Sequence, residues 1–293
     1  MTSARRGRGR GAGRRPSNLA AVKAKELLNS LRVRPDDPPR LAERDPGDRL
    51  GFADREVALE QLGLLIERLR ELHNRLWAEA TRSVLLVLQG LDAAGKDGTI
   101  KHVLTGVNPQ GCRIVSFKEP TKTELAHDYL WRVHAACPGR GELGIFNRSH
   151  YEDVVTARVR GFISEATASK RVRHIREFER LLADEGTTVV KVFLNVSKSE
   201  QRDRLRERLA DPAKAWKFRV SDLDDRMRWD EFIALYEDAI ARTSTSWAPW
   251  YVVPGDHKWA RNVAVATLLV EALEEIDPRL PPPDPGLSHI EVD

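Results

Sequence analysis

Cysteine is nearly absent from this chain of 293 residues. Cys112 and Cys137 are the only two, too few for a disulfide framework or a four-cysteine zinc site, and neither stands in a C-x-x-C pair. Long apolar runs are missing too. No 18 consecutive apolar residues are available to span a bilayer, and the basic N-terminus is followed by no apolar segment that would make it a signal peptide. A cytoplasmic location with no membrane partner is therefore expected. Acids are absent from residues 1–18, which carry Arg5, Arg6, Arg8, Arg10, Arg14 and Arg15. Without those six charges the net charge of +4 becomes −2, so the basic pI belongs to the tail and the rest of the chain is nearly neutral. An arginine- and glycine-rich stretch with almost no apolar residues predicts disorder, although it could also touch a polyanion. The neutral remainder offers no basic face, and nucleic acid is not expected as a partner.

What is present is enough apolar sequence, 41% of the chain, for a large core. After the tail, residues 19–53 read as an N-terminal helix followed by a linker or wrapped arm rich in proline, aspartate and arginine. From Asp54 to Ala80 the spacing of Val57, Leu59, Leu62, Leu65, Ile66, Leu69, Leu72 and Leu76 predicts a long amphipathic helix. The period then changes. Val84 to Leu88 is a continuous apolar run of strand length, and similar runs recur at 112–117, 143–146, 189–196 and 250–253. Helical patterns lie between them at 122–136, 150–160, 167–184, 198–210, 221–242 and 257–275. Strand alternating with helix predicts a three-layer α/β domain over 54–276, with a parallel sheet flanked by helices. Residues 277–293 are proline-rich and read as coil.

The first strand ends in Gly90-Leu91-Asp92-Ala93-Ala94-Gly95-Lys96-Asp97. A glycine-rich turn between a buried strand and a helix aims backbone N–H groups and the positive helix end at one point, and that point holds a phosphate. Gly90 and Gly95 let the backbone approach the oxygens, while Lys96 reaches the outer phosphates. Leu91, Ala93, Ala94, Gly98 and Thr99 complete the expected phosphate-binding set. Two acids set this loop apart from the common one. Asp97 replaces the Ser/Thr that would ligate Mg²⁺, and Asp92 lies inside the anion cradle. A bare carboxylate there repels phosphate unless a divalent cation stands between them, so Asp92 is the first candidate metal ligand. Asp97 is the second, and it fits equally well as an acid stabilising a helix N-terminus.

Following the strand at 143–146 comes Asn147-Arg148-Ser149-His150-Tyr151-Glu152-Asp153. Asn147 can coordinate or hydrogen-bond but brings no charge. Arg148 reaches the same sheet edge as the loop and can clamp a transferring phosphoryl group. Further on, Arg204 and Arg208 lie four apart on one helix face, with Lys214, Lys217 and Arg219 beyond. Such alternation of acids and bases also fits a plain solvated helix. In an α/β kinase, however, a basic hairpin at about 198–220 is where a mobile lid closes over phosphates.

The combination of G-L-D-A-A-G-K-D-G (90–98), F-K-E-P-T (117–121), F-N-R-S-H-Y-E-D-V (146–154) and the basic lid resembles the polyphosphate kinase 2 family over roughly residues 54–275. The resemblance implies a thymidylate-kinase-like P-loop core with a helical lid, and homodimers or homotetramers. It also implies Mg²⁺-dependent (or Mn²⁺-dependent) transfer between inorganic polyphosphate and AMP, ADP or ATP. Carried over by position, it gives catalytic roles to Asp92, Lys96, Arg148 and Arg208. Asn147, where many members have Asp, resembles the subgroup accepting both AMP and ADP. The alternative is an ATP-dependent nucleoside monophosphate kinase, which needs the same loop and lid.

Overall fold

Seven consecutive residues, Ser83–Gln89, are buried and form the central strand. A strand covered on both faces has no place for polar side chains, which is why Val84 to Leu88 reads as an unbroken apolar run. In the computed structural model, which describes residues 18–35, 37–286 and 290, six strands make one sheet: β1 (Arg32–Val33), β2 (Ser83–Gln89), β3 (Cys112–Ser116), β4 (Leu143–Asn147), β5 (Thr187–Asn195) and β6 (Trp250–Pro254), in the order β1-β6-β5-β2-β4-β3. The five runs expected from the sequence are all strands and all parallel. With β5 on one side of β2 and β4 on the other, the loop leaving β2 opens at the point where the winding of the sheet reverses, outside the carboxyl ends of the strands.

The helices are α1 (Asn18–Leu31), α2 (Arg55–Glu79), α3 (Lys96–Val103), α4 (Lys122–Leu125), α5 (Trp131–Ala136), α6 (Thr156–Val159), α7 (Glu165–Asp184), α8 (Lys198–Ala210), α9 (Ser221–Met227), α10 (Trp229–Thr243) and α11 (Lys258–Ile276). Asp54 caps α2 by accepting from Val57 N at 2.9 Å. Its buried stripe (Ala58, Leu62, Leu69, Leu72, Leu76) packs on α11, a helix apolar nearly all round. Arg68 of α2 is tied to Glu274 of α11 at 2.8 Å. A second group, α6, α7 and α10, packs together and reaches β5 through α7. No helix among the described residues is long and apolar enough to cross a membrane.

The structure departs from the sequence pattern in several places, and the pattern at 221–242 is divided at Arg228 into α9 and α10. The helical pattern at 122–136 is divided into α4 and α5, because the Asp128 carboxylate accepts from Leu130 N at 2.9 Å and makes a local turn that competes with the helix. The pattern at 150–160 becomes a 3-10 turn, His150–Asp153, followed by α6. After α1 the chain packs onto the sheet, as one of the two sequence readings, a wrapped arm, has it. Arg32 and Val33 pair antiparallel with Tyr251 and Trp250 of β6, and Leu31, Val33 and Leu41 are buried. The chain then crosses the carboxyl edge of the sheet, where Asn195 donates to Arg44 O at 3.1 Å and Asp256 N donates to Pro46 O at 3.0 Å. Residues 1–17, where the disordered arginine-rich tail is expected, lie outside the described residues. Residues 277–284 have no regular structure, as their prolines require.

One charged network is sealed inside the domain. Lys191 of β5 donates to Glu179 of α7 at 2.5 Å, to the Tyr151 hydroxyl at 3.0 Å and to Thr243 O at 2.7 Å. Tyr151 in turn donates to Glu179 at 2.8 Å, and His150 lies 3.3 Å from the same carboxylate. Tyr151 and His150 belong to the 3-10 turn that follows Arg148, so this network anchors the turn from below.

Candidate active site

The turn from β2 to α3 is built as an anion cradle whose carbonyls face away from it. Lys96 Nζ donates to Gly90 O at 2.7 Å and Leu91 O at 3.2 Å. Gln201 of α8 donates to Asp92 O at 3.0 Å, and Arg204 of α8 donates to Ala93 O and Ala94 O at 3.1 and 3.0 Å. Five successive carbonyls are thus taken by side chains. Ala94 N donates to Leu91 O at 3.1 Å and closes the turn, while the other peptide N–H groups of a loop held this way are left for a ligand, in line with the N-terminus of α3. Gly90 is required by space as well as by φ 147°, because a Cβ would lie 2.9 Å from Leu194 O. Ala93 takes φ 61°, a left-handed conformation unusual outside glycine.

Arg148 sits at the carboxyl end of β4, also left-handed at φ 62°. Its guanidinium makes an ion pair with Asp92 in the loop and donates to Glu152 at 3.1 Å. Thr156 Oγ1 holds Glu152 at 2.7 Å. Glu152 and Asp92 together raise the Arg148 pKa above its ordinary value against the effect of burial. Burial pushes the Asp92 carboxyl up, but Arg148, Lys96 and Arg208 outweigh it and hold the group below the usual carboxylate range. Lys96 is nearly enclosed. Burial and the neighbouring Arg148 lower its ammonium to about 8, with Asp92, Glu152 and Asp97 acting in the opposite direction.

Asp97, in the first turn of α3, accepts from Asn147 Nδ2 at 2.8 Å and from Lys217 Nζ at 3.1 Å. The basic segment is therefore folded over the loop. Lys217 belongs to a 3-10 turn, Ala215–Lys217, between α8 and α9. Arg208 is paired with Asp222 of α9 at 3.4 Å. Beyond it, Arg226 of α9 donates to Lys198 O and Gln201 of α8 at 2.6 and 2.8 Å, tying α9 to the start of α8.

Of the residues singled out in the sequence, Asp92, Lys96, Asp97, Asn147, Arg148, Arg208 and Lys217 are brought to one side of the loop by these contacts. Arg204 and Thr99 are not. All five N–H groups of Arg204 go to protein acceptors: Ala93 O, Ala94 O, Glu200, Gly255 O and Asp256 O. It grips the loop from behind, where no phosphate can replace those partners without undoing the loop. Thr99 is fully buried, and its hydroxyl donates back to Gly95 O at 3.1 Å. Leu91 and Ala94 are buried, so they contribute backbone only. Two further residues, Glu152 and Gln201, shape the site without being among the sequence candidates. Glu152 could have been found as the acid four residues after Arg148, but the contact of Gln201 with the loop has no local signal.

Among the described residues no group of three or more His, Cys, Asp or Glu side chains could hold a metal unaided. Mg²⁺ is commonly held by one or two carboxylates and completes its octahedron with water and substrate phosphates. Asp92 fits such a site. Asp97 already has an N–H donor on each oxygen.

A model of the family described as polyphosphate kinase 2 matches residues 53–281. The chain belongs to the polyphosphate kinase 2 family. An AMP/ADP-polyphosphate phosphotransferase of Meiothermus ruber is 51% identical over 267 residues, covering 91% of this chain and 100% of that protein. An ADP-polyphosphate phosphotransferase of Rhodopseudomonas palustris is 42% identical, covering 80% of this chain and 86% of its own length. The crystal structure of polyphosphate kinase 2 from Arthrobacter aurescens TC1 superimposes with a TM-score of 0.85 at 39% identity, covering 91% of this chain and 93% of that one. The P-loop kinase fold of the family is the fold of this chain.

Proposed function

We propose that this family member is a polyphosphate-dependent nucleotide kinase, which transfers the terminal phosphoryl group of inorganic polyphosphate to AMP or ADP, reversibly and with Mg²⁺ or Mn²⁺. The observation that carries the reading is the Asp92–Arg148 pair. It places an acid inside a phosphate cradle and a clamp arginine directly on it. An ATP-dependent nucleoside monophosphate kinase would need the cradle but gives no reason for that acid. Acceptance of both AMP and ADP is supported by the activity named for the Meiothermus ruber relative and by Asn147, which adds no charge beside Asp97.

Loop N–H groups and Lys96 hold the phosphoryl group that is transferred. Arg148 from β4 and Arg208 from the lid supply positive charge where the equatorial oxygens gather it in the transition state. Each of these cations now leans on a protein acceptor: Lys96 on the loop carbonyls, Arg148 on Asp92 and Glu152, and Arg208 on Asp222. Exchanging those acceptors for phosphate oxygens needs no new charge. Asp92 would hold the divalent cation, which when bound neutralises charge on the phosphate chain. An anionic phosphate oxygen attacks without losing a proton, so no general base is required. Lys217, held to Asp97, links the lid to the loop.

Two outcomes follow. With polyphosphate as sole donor, ADP should yield ATP, and AMP should yield ADP and then ATP, as read by product chromatography; product from ADP alone would remove the dual-acceptor reading. The second concerns pH. Lys96 must be protonated to bind phosphate, and its pKa in the free protein is lowered to about 8, so kcat/KM for polyphosphate should fall as pH rises through that value. Bound phosphate raises the pKa, so kcat should hold to higher pH. A kcat/KM profile flat to pH 10 would contradict this.

A further inference from the structure

Arg261 lies in the first turn of α11 and is 2% exposed. Its Nη1 donates to Ala94 O at 3.3 Å, while Nε and Nη2 donate to Asn262 Oδ1 at 3.2 and 3.0 Å. Among the described residues no carboxylate pairs with it. The charged group that does share its surroundings is another cation, Arg204, which donates to the same Ala94 carbonyl. Burial, with Arg204 adding to it, lowers the Arg261 guanidinium to about 9. The contact with the loop is close. A Cβ added at Gly95 would lie 1.9 Å from Arg261 Nη1, and one at Gly98 would lie 3.5 Å from Nη2. Gly95 is therefore glycine for two reasons: its φ of 105° and the guanidinium packed against it.

A buried cation without an acid is costly to the fold. Holding the Ala94 carbonyl does not require a charge, since a neutral amide would do it, as Gln201 does for Asp92 O. The charge itself is the feature in need of a function. It lies directly behind the junction of loop and helix, where the backbone N–H groups converge.

We propose that Arg261 is a positioning residue and fixed positive charge of the phosphate site, for which phosphate bound at the loop serves as counterion across the Ala94–Gly95 backbone. It acts through the loop and not by contact, and it sets how tightly an anion is held before the lid arginine engages. This rests on the reading of the loop as a polyphosphate cradle.

The test is calorimetric titration of inorganic tripolyphosphate into wild type and Arg261→Lys, Arg261→Gln and Arg261→Met at one ionic strength, alongside the melting temperature without ligand. Affinity should follow charge. The lysine variant should stay within about threefold of wild type, and the glutamine and methionine variants should each lose roughly tenfold to a hundredfold, the scale of one unit charge about 6–12 Å away at an effective dielectric of about 20. The ligand-free melting temperature of the methionine variant should be unchanged or higher, since an unpaired buried charge has been removed. Affinity that follows hydrogen bonding instead, with glutamine like wild type and lysine weakened, would make Arg261 a structural prop and overturn the proposal. So would a folded methionine variant that binds as tightly as wild type. Should methionine prevent folding, the lysine and glutamine pair decides alone. A wild type that binds ATP but no tripolyphosphate would overturn the polyphosphate reading instead.

Discussion

Asp92→Asn should lower turnover about 10³-fold while the protein remains folded, the scale seen when one charge-stabilising group is removed from a preorganised site. The two side chains have the same shape, and Arg148 keeps Glu152 as its second partner at 3.1 Å, so the clamp is not released into solvent. What is lost is the negative charge within the cradle. If that charge serves to hold a divalent cation against phosphate, the loss should appear mainly in kcat, and raising Mg²⁺ should recover part of it. Asp97→Asn should cost about tenfold or less, because Asp97 touches Asn147 and the lid lysine and is placed to steady the lid. Steady-state kinetics at several Mg²⁺ concentrations, with circular dichroism as a folding control, separates the two. Equal losses in both variants would mean that the acids act as one unit and that the assignment to Asp92 is wrong.

Lys191→Met should destabilise the domain by about 3–5 kcal/mol, the range for breaking a buried ion pair on one side only. Lys191 is fully buried, and so is Glu179, its partner at 2.5 Å. Without the ammonium, Glu179 must either stay ionised in the interior or take up a proton, and both cost stability at neutral pH. For a domain of this size the drop in melting temperature is roughly 10 °C. The double variant Glu179→Gln with Lys191→Met removes both charges yet leaves an acceptor for the Tyr151 hydroxyl, so it should recover most of the loss. Thermal melts of the single and double variants give the coupling directly. A single variant within about 1 kcal/mol of wild type would contradict the picture of a sealed pair.

Much of this architecture is legible in the sequence, and the reasons are local. Val84 to Leu88 can only be a strand buried on both sides, Asp54 announces the start of α2, and the spacing of Gly90, Gly95 and Lys96 defines the cradle. What escaped depends on partners distant in the chain. Arg32 and Val33 become a strand only because Tyr251 and Trp250 present an open edge; two residues carry no periodicity of their own. Arg204 and Arg208 are correctly placed on one helix by their spacing, but spacing does not reveal how that helix docks. In the fold Arg204 turns into the back of the loop and Arg208 out to Asp222. Arg261 has no local signal that sets it apart from the other charged residues of α11, and its partner Ala94 is 167 residues away.

The central claim is that phosphoryl groups pass from polyphosphate to a nucleotide at the loop carrying Asp92. Its most direct measurement supplies ADP, Mg²⁺ and terminally ³²P-labelled polyphosphate to the purified protein with no other donor. The account predicts label in the γ-phosphate of ATP, appearing about 10³-fold more slowly when Asp92→Asn replaces wild type. Unlabelled product, or label transferred equally well by the variant, would contradict it.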